Sequence, residues 1–273
     1  MIQIFENMTG KLKSTSLFIV FFSLLPFSAS SFRPPYSLFG KVINKMNTEK
    51  KAVVLSFDDG PNAIYTHEVL KILKEKKIKA TFFLLGKNIV GNELLVRQMQ
   101  VEGHSIGNHS YSHPNFLLVL PSRIKGEIEN TQKEIEKIVG QRNDLFRAPY
   151  GNYNNPFLMD YLSKNGYTVI GWSVDPSDYK ETDPEKIVTE VLKQVTPGAI
   201  ILLHDGPEGI EKGETFSREA TVKALPEIID NLRKQGYSFL TIPELIMEEK
   251  VLGEKTKRGI RLVIPDLIWN LFK

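Results

Sequence analysis

The sequence Ser56-Phe57-Asp58-Asp59-Gly60-Pro61 places two adjacent carboxylates directly after the apolar run Ala52–Leu55. This run is apolar and rich in β-branched residues, which is typical of a buried strand, and Gly60-Pro61 ends it. Neighbouring side chains within a strand point to opposite faces, but a turn at the strand's end can direct both carboxylates into one cavity. Two adjacent anions repel each other unless a cation or a proton separates them. The segment therefore predicts either a charged site at a strand end or an acidic turn that caps the next helix.

Length and composition are those of a globular protein with a large core. The chain has 273 residues, of which 41% are hydrophobic and 25% are charged. Its formal net charge of +3 is too small to indicate a nucleic-acid partner, and no basic patch interleaved with aromatic residues is present. The sequence contains no cysteine, which excludes disulfides, thiolate metal sites and a cysteine nucleophile.

The N-terminus has the layout of a secretory signal peptide. Lys11 and Lys13 precede an apolar stretch over residues 17–25, and small residues follow at 28–31. We expect a signal peptide over residues 1–30, with an uncleaved membrane anchor as the alternative. The apolar stretch is shorter than the roughly 20 residues that a spanning helix needs. The protein is accordingly predicted to be exported (secreted, periplasmic or associated with the cell envelope), with membrane contact only through this segment.

From Ala52 onward, strand-like runs alternate with helical patterns. Repeated strand–helix alternation predicts a parallel sheet covered by helices. Polar residues such as those of Ser56–Gly60 follow the predicted strands at their carboxyl ends. We therefore expect a single-domain α/β fold with a distorted or incomplete (β/α)8-type barrel, and a doubly wound open sheet is the alternative. We divide the rest of the chain into a linker over residues 31–51, the barrel over residues 52–248 and a C-terminal tail of unknown role over residues 249–273.

Two imidazoles at His-x-x-x-His spacing, His109 and His113, follow the third predicted strand. A pair of this kind is usually solvent-exposed, but the chain has five histidines, and His109, His113 and His204 all end or follow predicted strands. With one carboxylate of Asp58-Asp59, the pair would supply three ligands and leave positions open for water and substrate, as catalytic metal sites do. The facial triad of non-haem iron oxygenases has the same ligand types, but the strand–helix alternation argues against the jelly roll expected for it.

Five motifs in chain order make a resemblance to a known family specific. They are Ser56–Gly60, His109–His113, Arg147–Tyr150, Asp175–Tyr179 and Leu202–His204. With them the chain resembles a polysaccharide deacetylase of the NodB-homology type (carbohydrate esterase family 4) over nearly all of the region from Ala52 to Thr241. The resemblance implies metal-dependent hydrolysis of N-acetyl groups from amino sugars of a polysaccharide, such as peptidoglycan, chitin-type oligomers or poly-N-acetylglucosamine.

The resemblance also implies which residues bind the metal and activate water. Asp59, His109 and His113 are expected to hold a divalent ion, with Zn²⁺ first and Co²⁺, Ni²⁺ or Mn²⁺ as alternatives. Asp58 is expected to be the general base that deprotonates the attacking water. Arg147 is expected to lie beside Asp58, to orient it and to favour its charged form.

The remaining motif residues are expected to complete the reaction. The backbone N–H of Tyr150 would stabilise the oxyanion. His204 would be the general acid that protonates the departing amine, and Asp175 would pair with His204 to stabilise its imidazolium form. The pocket for the acetyl group is expected to be lined by Leu202, Tyr179 and Trp172.

Two positions depart from the family's usual pattern. Ser56 stands where threonine is more usual, and Tyr179 stands where tryptophan is common, so a hydroxyl group could reshape the acetyl pocket or a sugar subsite. Three histidine or aspartate side chains are predicted to lie outside the catalytic set: His67, His104 and Asp205.

Three other functions fit parts of the pattern. The same site could act on another acyl sugar, such as O-acetyl xylan or a formamido sugar. The second is a non-catalytic carbohydrate-binding relative. Such a protein is expected to have lost the base, a metal ligand or the acid, and all of these residues are present here. A glycosidase using Asp58 and Asp59 is the third; it leaves the histidine pair unexplained and needs carboxylates ~5–9.5 Å apart, which adjacent residues do not readily provide.

Overall fold

The structure, a computed structural model, describes residues 41–207 and 217–248. The predicted signal peptide, the first part of the predicted linker and the predicted C-terminal tail lie outside these residues. None of the helices in the two described ranges combines the length and apolarity needed to cross a membrane.

Parallel strands form one sheet within the described residues. They are β1 (Ala52–Asp58), β2 (Thr81–Leu84), β3 (Ser105–Asn108), β4 (Leu145–Phe146), β5 (Thr168–Val169), β6 (Ile200–His204) and β7 (Ser238–Phe239). The strand order is β5-β4-β3-β2-β1-β6, and β7 pairs with the first two residues of β1. All of these pairings are parallel, so the carboxyl ends of the strands lie at one edge of the sheet.

Helices follow the strands and cover the outer face of the sheet. They are α1 (Tyr65–Lys76), α2 (Gly86–Ile89), α3 (Glu93–Val101), α4 (Pro121–Val139), α5 (Pro156–Lys164), α6 (Pro184–Gln194) and α7 (Glu219–Lys234), followed by a helical segment over residues 242–248. Two helix N-termini are capped by side chains. Asn155 and Asp183 accept hydrogen bonds from backbone N–H groups in the first turns of α5 and α6, and both helices begin with proline.

The side chains of β1 alternate between two environments, as the period of a strand requires. Alternate residues of β1 pack in the outer core with residues of α1, α6 and α7: Val53, Leu55 and Phe57. Val54 packs instead with Phe83 and Ile170 in a second cluster. Ser56 and Asp58 have the same parity as Val54, so β1 presents both polar side chains on this second face.

Residues before Ala52 form isolated bridges beside two strands of the sheet. Ile43 forms a parallel bridge with Ile170, next to β5, and Lys45 forms an antiparallel bridge with Ala199, next to β6. Met46 is buried in the apolar cluster that also contains Ile170 and Ile200. Contacts with the sheet thus begin before residue 52, within the predicted linker. The predicted incomplete (β/α)8-type barrel is confirmed as a curled, parallel half-barrel.

Candidate functional site

A cleft of about 300 Å³ opens at the carboxyl edge of the sheet. All of the predicted site residues line it except Arg147 and Asp59, and these two side chains are fully buried beside it. Strands β1, β3 and β6 end at this edge with Asp58, Asn108 and His204 respectively. The parallel sheet therefore brings together side chains that are far apart in sequence.

Asp59, His109 and His113 form a cluster that can hold a metal ion. One ligand atom from each residue can be chosen so that all three lie within 4.8 Å of one another, and all three side chains are buried. Oδ1 of Asp59 lies 3.5 Å from Nε2 of His109 and 3.3 Å from Nε2 of His113. Asp59 reaches this position because its backbone adopts a left-handed conformation (φ 76°) immediately after β1.

The protonation of the two imidazoles suits metal binding. Nδ1 of His109 lies 2.9 Å from the carbonyl oxygen of Arg147, and a proton on Nδ1 in this hydrogen bond leaves the lone pair of Nε2 facing Asp59. Burial lowers the pKa of His109 to about 3 and also lowers the pKa of His113, so both rings are neutral near pH 7. Two neutral imidazoles and one carboxylate are a donor set that divalent transition ions such as zinc accept.

Asp58 lies beside this cluster and is held by Arg147. Nη1 of Arg147 donates to Oδ1 of Asp58 over 2.7 Å, and Oδ2 of Asp58 lies 3.7 Å from Nε2 of His109. Arg147 is fixed in turn by hydrogen bonds to the hydroxyl of Ser56 (3.0 Å) and the carbonyl of Gly171 (2.9 Å). Burial raises the pKa of Asp58, and the neighbouring guanidinium opposes that rise. The arrangement leaves Oδ2 of Asp58 directed toward the metal cluster.

His204 pairs with Asp178. Nδ1 of His204 lies 2.7 Å from Oδ1 of Asp178, and the backbone N–H of His204 donates to Oδ2 of Asp178 over 2.9 Å. The hydroxyl of Thr221 in α7 donates to the same Oδ2 over 2.7 Å. Burial alone would lower the pKa of His204, but the carboxylate of Asp178 raises it to about 9. His204 is therefore an imidazolium at neutral pH, with Nε2 left for the cleft.

The predicted pairing of His204 with Asp175 is wrong. Asp175 lines the cleft, but its carboxylate accepts a hydrogen bond from the backbone N–H of Ser177 over 2.7 Å. Asp175 and Asp178 lie in an irregular segment between β5 and α6, where no periodicity indicates which side chain faces His204. Asp178 directly precedes Tyr179, whose ring lies edge-on to that of His204 at 5.6 Å.

Aromatic and apolar side chains form the rest of the cleft. Tyr150 lies in the 3₁₀ turn Pro149–Gly151 with φ 58°, and its ring lies 4.6 Å from the ring of His113. Leu202 of β6, Trp172 and Tyr179 line the cleft. The site thus has an apolar wall next to a charged floor, an arrangement suited to a ligand with both an apolar and a polar end.

Known proteins share both the sequence pattern and this fold. The model of the family described as polysaccharide deacetylase matches residues 45–170. A chitooligosaccharide deacetylase from Bradyrhizobium sp. is 36% identical over 71% of this chain and 90% of its own length. The crystal structure of the Bc1960 peptidoglycan N-acetylglucosamine deacetylase is similar with a TM-score of 0.69 and 34% identity, over 74% of this chain and 91% of that one. A CE4 family pseudoenzyme from Bacillus anthracis is similar with a TM-score of 0.67 and 29% identity, over 75% and 68% respectively.

Proposed function

This chain belongs to the polysaccharide deacetylase family, and we propose that it hydrolyses the N-acetyl groups of N-acetylated amino sugars in a polysaccharide, releasing acetate. The observation that carries the proposal is the cluster of ligand atoms from Asp59, His109 and His113, all within 4.8 Å of one another. Asp58 and His204 lie beside it as register partners on the adjacent strands β1 and β6.

The proposed cofactor is a divalent ion, with Zn²⁺ first and Co²⁺, Ni²⁺ or Mn²⁺ as alternatives. An ion held by Asp59, His109 and His113 would lower the pKa of the attacking water and polarise the acetyl carbonyl. The carbonyl of Arg147 supports this assignment, because its hydrogen bond with Nδ1 of His109 fixes the ring that presents Nε2.

Asp58 is the proposed general base. Its Oδ1 is occupied by Arg147 at 2.7 Å, so Oδ2 is the atom that takes the proton from the attacking water. The guanidinium also keeps the carboxylate in one orientation, since Arg147 is itself held at two further positions. A base that cannot rotate away from the reacting atoms is an efficient one.

His204 is the proposed general acid, and the backbone N–H of Tyr150 the proposed oxyanion donor. An amine is a poor leaving group until it is protonated, and His204 carries its proton at neutral pH because Asp178 stabilises the imidazolium. The left-handed turn at Tyr150 lies against the ring of His113, beside the metal cluster. A backbone N–H at this point is suited to the negative charge that develops on the carbonyl oxygen.

The acetyl methyl group is proposed to contact the apolar wall of the cleft, formed by Leu202, Trp172 and Tyr179. This chain keeps both carboxylates of Asp58-Asp59, both imidazoles of the His109–His113 motif and His204. Loss of one of these groups would have favoured a non-catalytic carbohydrate-binding protein. The signal-like residues 1–30 support export, where a cell-envelope polysaccharide is accessible.

The test is acetate release from peptidoglycan and from N-acetylglucosamine oligomers, with O-acetyl xylan as a third substrate. We expect release from at least one amino-sugar substrate, its loss after chelation and its return with Zn²⁺. Asp58→Asn and His204→Ala should each lower kcat by about 10²–10⁴-fold, the usual contribution of a general base or acid. Chelator-insensitive release would contradict the proposed mechanism, and release from O-acetyl xylan alone would favour the esterase alternative.

A further inference from the structure

Glu127 of α4 is a buried carboxylate that holds the loop between the two imidazoles. Its Oε2 accepts hydrogen bonds from the backbone N–H groups of Tyr111 (3.1 Å) and Ser112 (2.9 Å). Its Oε1 accepts a third from the hydroxyl of Ser112 over 2.8 Å. Glu127 is 8% exposed, and no step of the proposed reaction uses it.

The loop adopts a conformation that needs support from outside. Ser110 and His113 both have left-handed backbones, with φ of 73° and 63°, although neither is glycine. Such conformations cost free energy and persist where surrounding contacts over-determine them. The carbonyls of Ser110 and Tyr111 accept from backbone N–H groups of α2, and Glu127 accepts from the N–H groups of the loop. The loop is thus fixed from both sides.

We propose that Glu127 is a positioning residue for the metal site. By fixing residues 111 and 112, it fixes the backbone that places Nε2 of His113 3.3 Å from Oδ1 of Asp59. Groups that orient metal ligands typically change metal affinity by about 10–100-fold when they are removed. This inference rests on the proposed function only for the identity of the metal ligands, and it makes no use of the substrate.

The test measures metal binding directly. Apo forms of the whole protein and of Glu127→Ala are titrated with Zn²⁺ in competition with a chromophoric chelator, and the Co²⁺ absorption spectrum of each is recorded. We expect Glu127→Ala to weaken Zn²⁺ binding by about 10–100-fold and to change the Co²⁺ spectrum. Glu127→Gln should lose less Zn²⁺ affinity than Glu127→Ala. The amide oxygen of glutamine can still accept hydrogen bonds from both N–H groups, and the amide NH₂ can donate one to the hydroxyl of Ser112.

Glu129 offers a matched control on the same helix. Its carboxylate accepts a hydrogen bond from the hydroxyl of Tyr161 over 2.7 Å, so Glu129→Ala also removes a carboxylate acceptor from α4. We expect Glu129→Ala to bind Zn²⁺ with wild-type affinity. Wild-type affinity in Glu127→Ala, or an equal loss in Glu129→Ala, would overturn the proposal.

Ser112→Ala keeps the proposal testable where Glu127→Ala does not fold. Ser112 is exposed, so its truncation removes one of the three hydrogen bonds without disturbing the core. We expect Zn²⁺ affinity to fall about 3–5-fold, the effect of one hydrogen bond. Unchanged affinity in both Ser112→Ala and Glu127→Gln would overturn the assignment. A wild-type protein that binds Zn²⁺ but releases no acetate would contradict the proposed function and leave this inference standing.

Discussion

His204 and Asp178 form a buried ion pair in which Nδ1 of the imidazole lies 2.7 Å from Oδ1 of the carboxylate. Burial alone would raise the pKa of Asp178, but His204 and Thr221 lower it below its ordinary value of 3.8. The pKa of His204 rises from its ordinary 6.5 to about 9. Because the pKa of His204 is raised, its protonation stabilises the folded state fully below pH 6.5, and this stabilisation is lost as the pH rises through about 9. Because the pKa of Asp178 is lowered, its ionised form stabilises the folded state above pH 3.8, and this stabilisation is lost as the pH falls through the pKa of Asp178 in the folded protein.

Replacing Asp178 by asparagine should move the alkaline fall of kcat to lower pH. The carboxylate that raises the pKa of His204 to about 9 is removed, so His204 loses its proton at lower pH and stops acting as an acid. The measurement is the pH profile of acetate release between pH 5 and 10, at saturating Zn²⁺. Asp175→Asn is the matched control and should leave the alkaline limb in place, because Asp175 pairs with the N–H of Ser177. An alkaline limb that moves with Asp175→Asn and stays with Asp178→Asn would contradict the corrected pairing.

Arg147→Met should destabilise the protein by about 3–5 kcal/mol, because it leaves the buried charge of Asp58 without its partner. The measurement is chemical unfolding of the apo protein, with Asp58→Asn and the double variant completing a cycle. Removing both charges should cost less than the sum of the two single changes, since the double variant has no uncompensated charge. Additive losses would show that the 2.7 Å contact does not couple the two residues energetically.

The sequence could predict the site wherever a residue's position followed from a regular element. Asp58 ends β1 on the same face as Val54 and Ser56, and strand parity is readable from the sequence. His109 and His204 likewise follow from the ends of parallel strands. Asp178 could not be chosen over Asp175, because an irregular segment has no period to indicate direction.

Contacts that distant helices make with the site could not be predicted from the sequence either. Thr221 contacts Asp178 from α7, and Glu127 contacts Ser112 from α4. Each is one polar residue on an amphipathic helix, where its apolar neighbours dominate the pattern. The bridge between Ile43 and Ile170 was missed for a related reason: a short segment rich in asparagine and lysine carries too few apolar residues to predict a strand.

Zn²⁺ should stabilise the folded protein, and His113→Ala should abolish that effect. Free Zn²⁺ at 100 times its dissociation constant should raise the free energy of unfolding by about 2.7 kcal/mol. His113→Ala removes one of the three clustered ligands, whereas His67→Ala removes an exposed imidazole on α1. Differential scanning calorimetry with Zn²⁺ and with a chelator measures the shift. A zinc-dependent shift that survives in His113→Ala, or disappears in His67→Ala, would place the ion elsewhere.

Two glycine-to-alanine changes should have opposite effects on stability. Gly126 lies inside α4, and apart from its chain neighbours and the adjacent backbone of the helix, no heavy atom of the described residues lies within 4 Å of a Cβ built there. Gly126→Ala should therefore stabilise the protein by about 0.5–1 kcal/mol. A Cβ at Gly206 would instead overlap the backbone carbonyl of Asp59. Because backbone atoms cannot rotate aside as a side chain can, Gly206→Ala should cost about 1–3 kcal/mol and displace Asp59.

Zn²⁺ affinity separates the two effects of Gly206→Ala. If the close approach of Gly206 serves only packing, the variant should unfold more easily and still bind Zn²⁺ normally. We expect both properties to change, because the displaced backbone carries the Asp59 carboxylate that lies 3.3 Å from Nε2 of His113. Gly126→Ala controls for the added methyl group and should keep wild-type Zn²⁺ affinity. Normal affinity in Gly206→Ala would mean that the turn after β1 tolerates movement without moving its carboxylate.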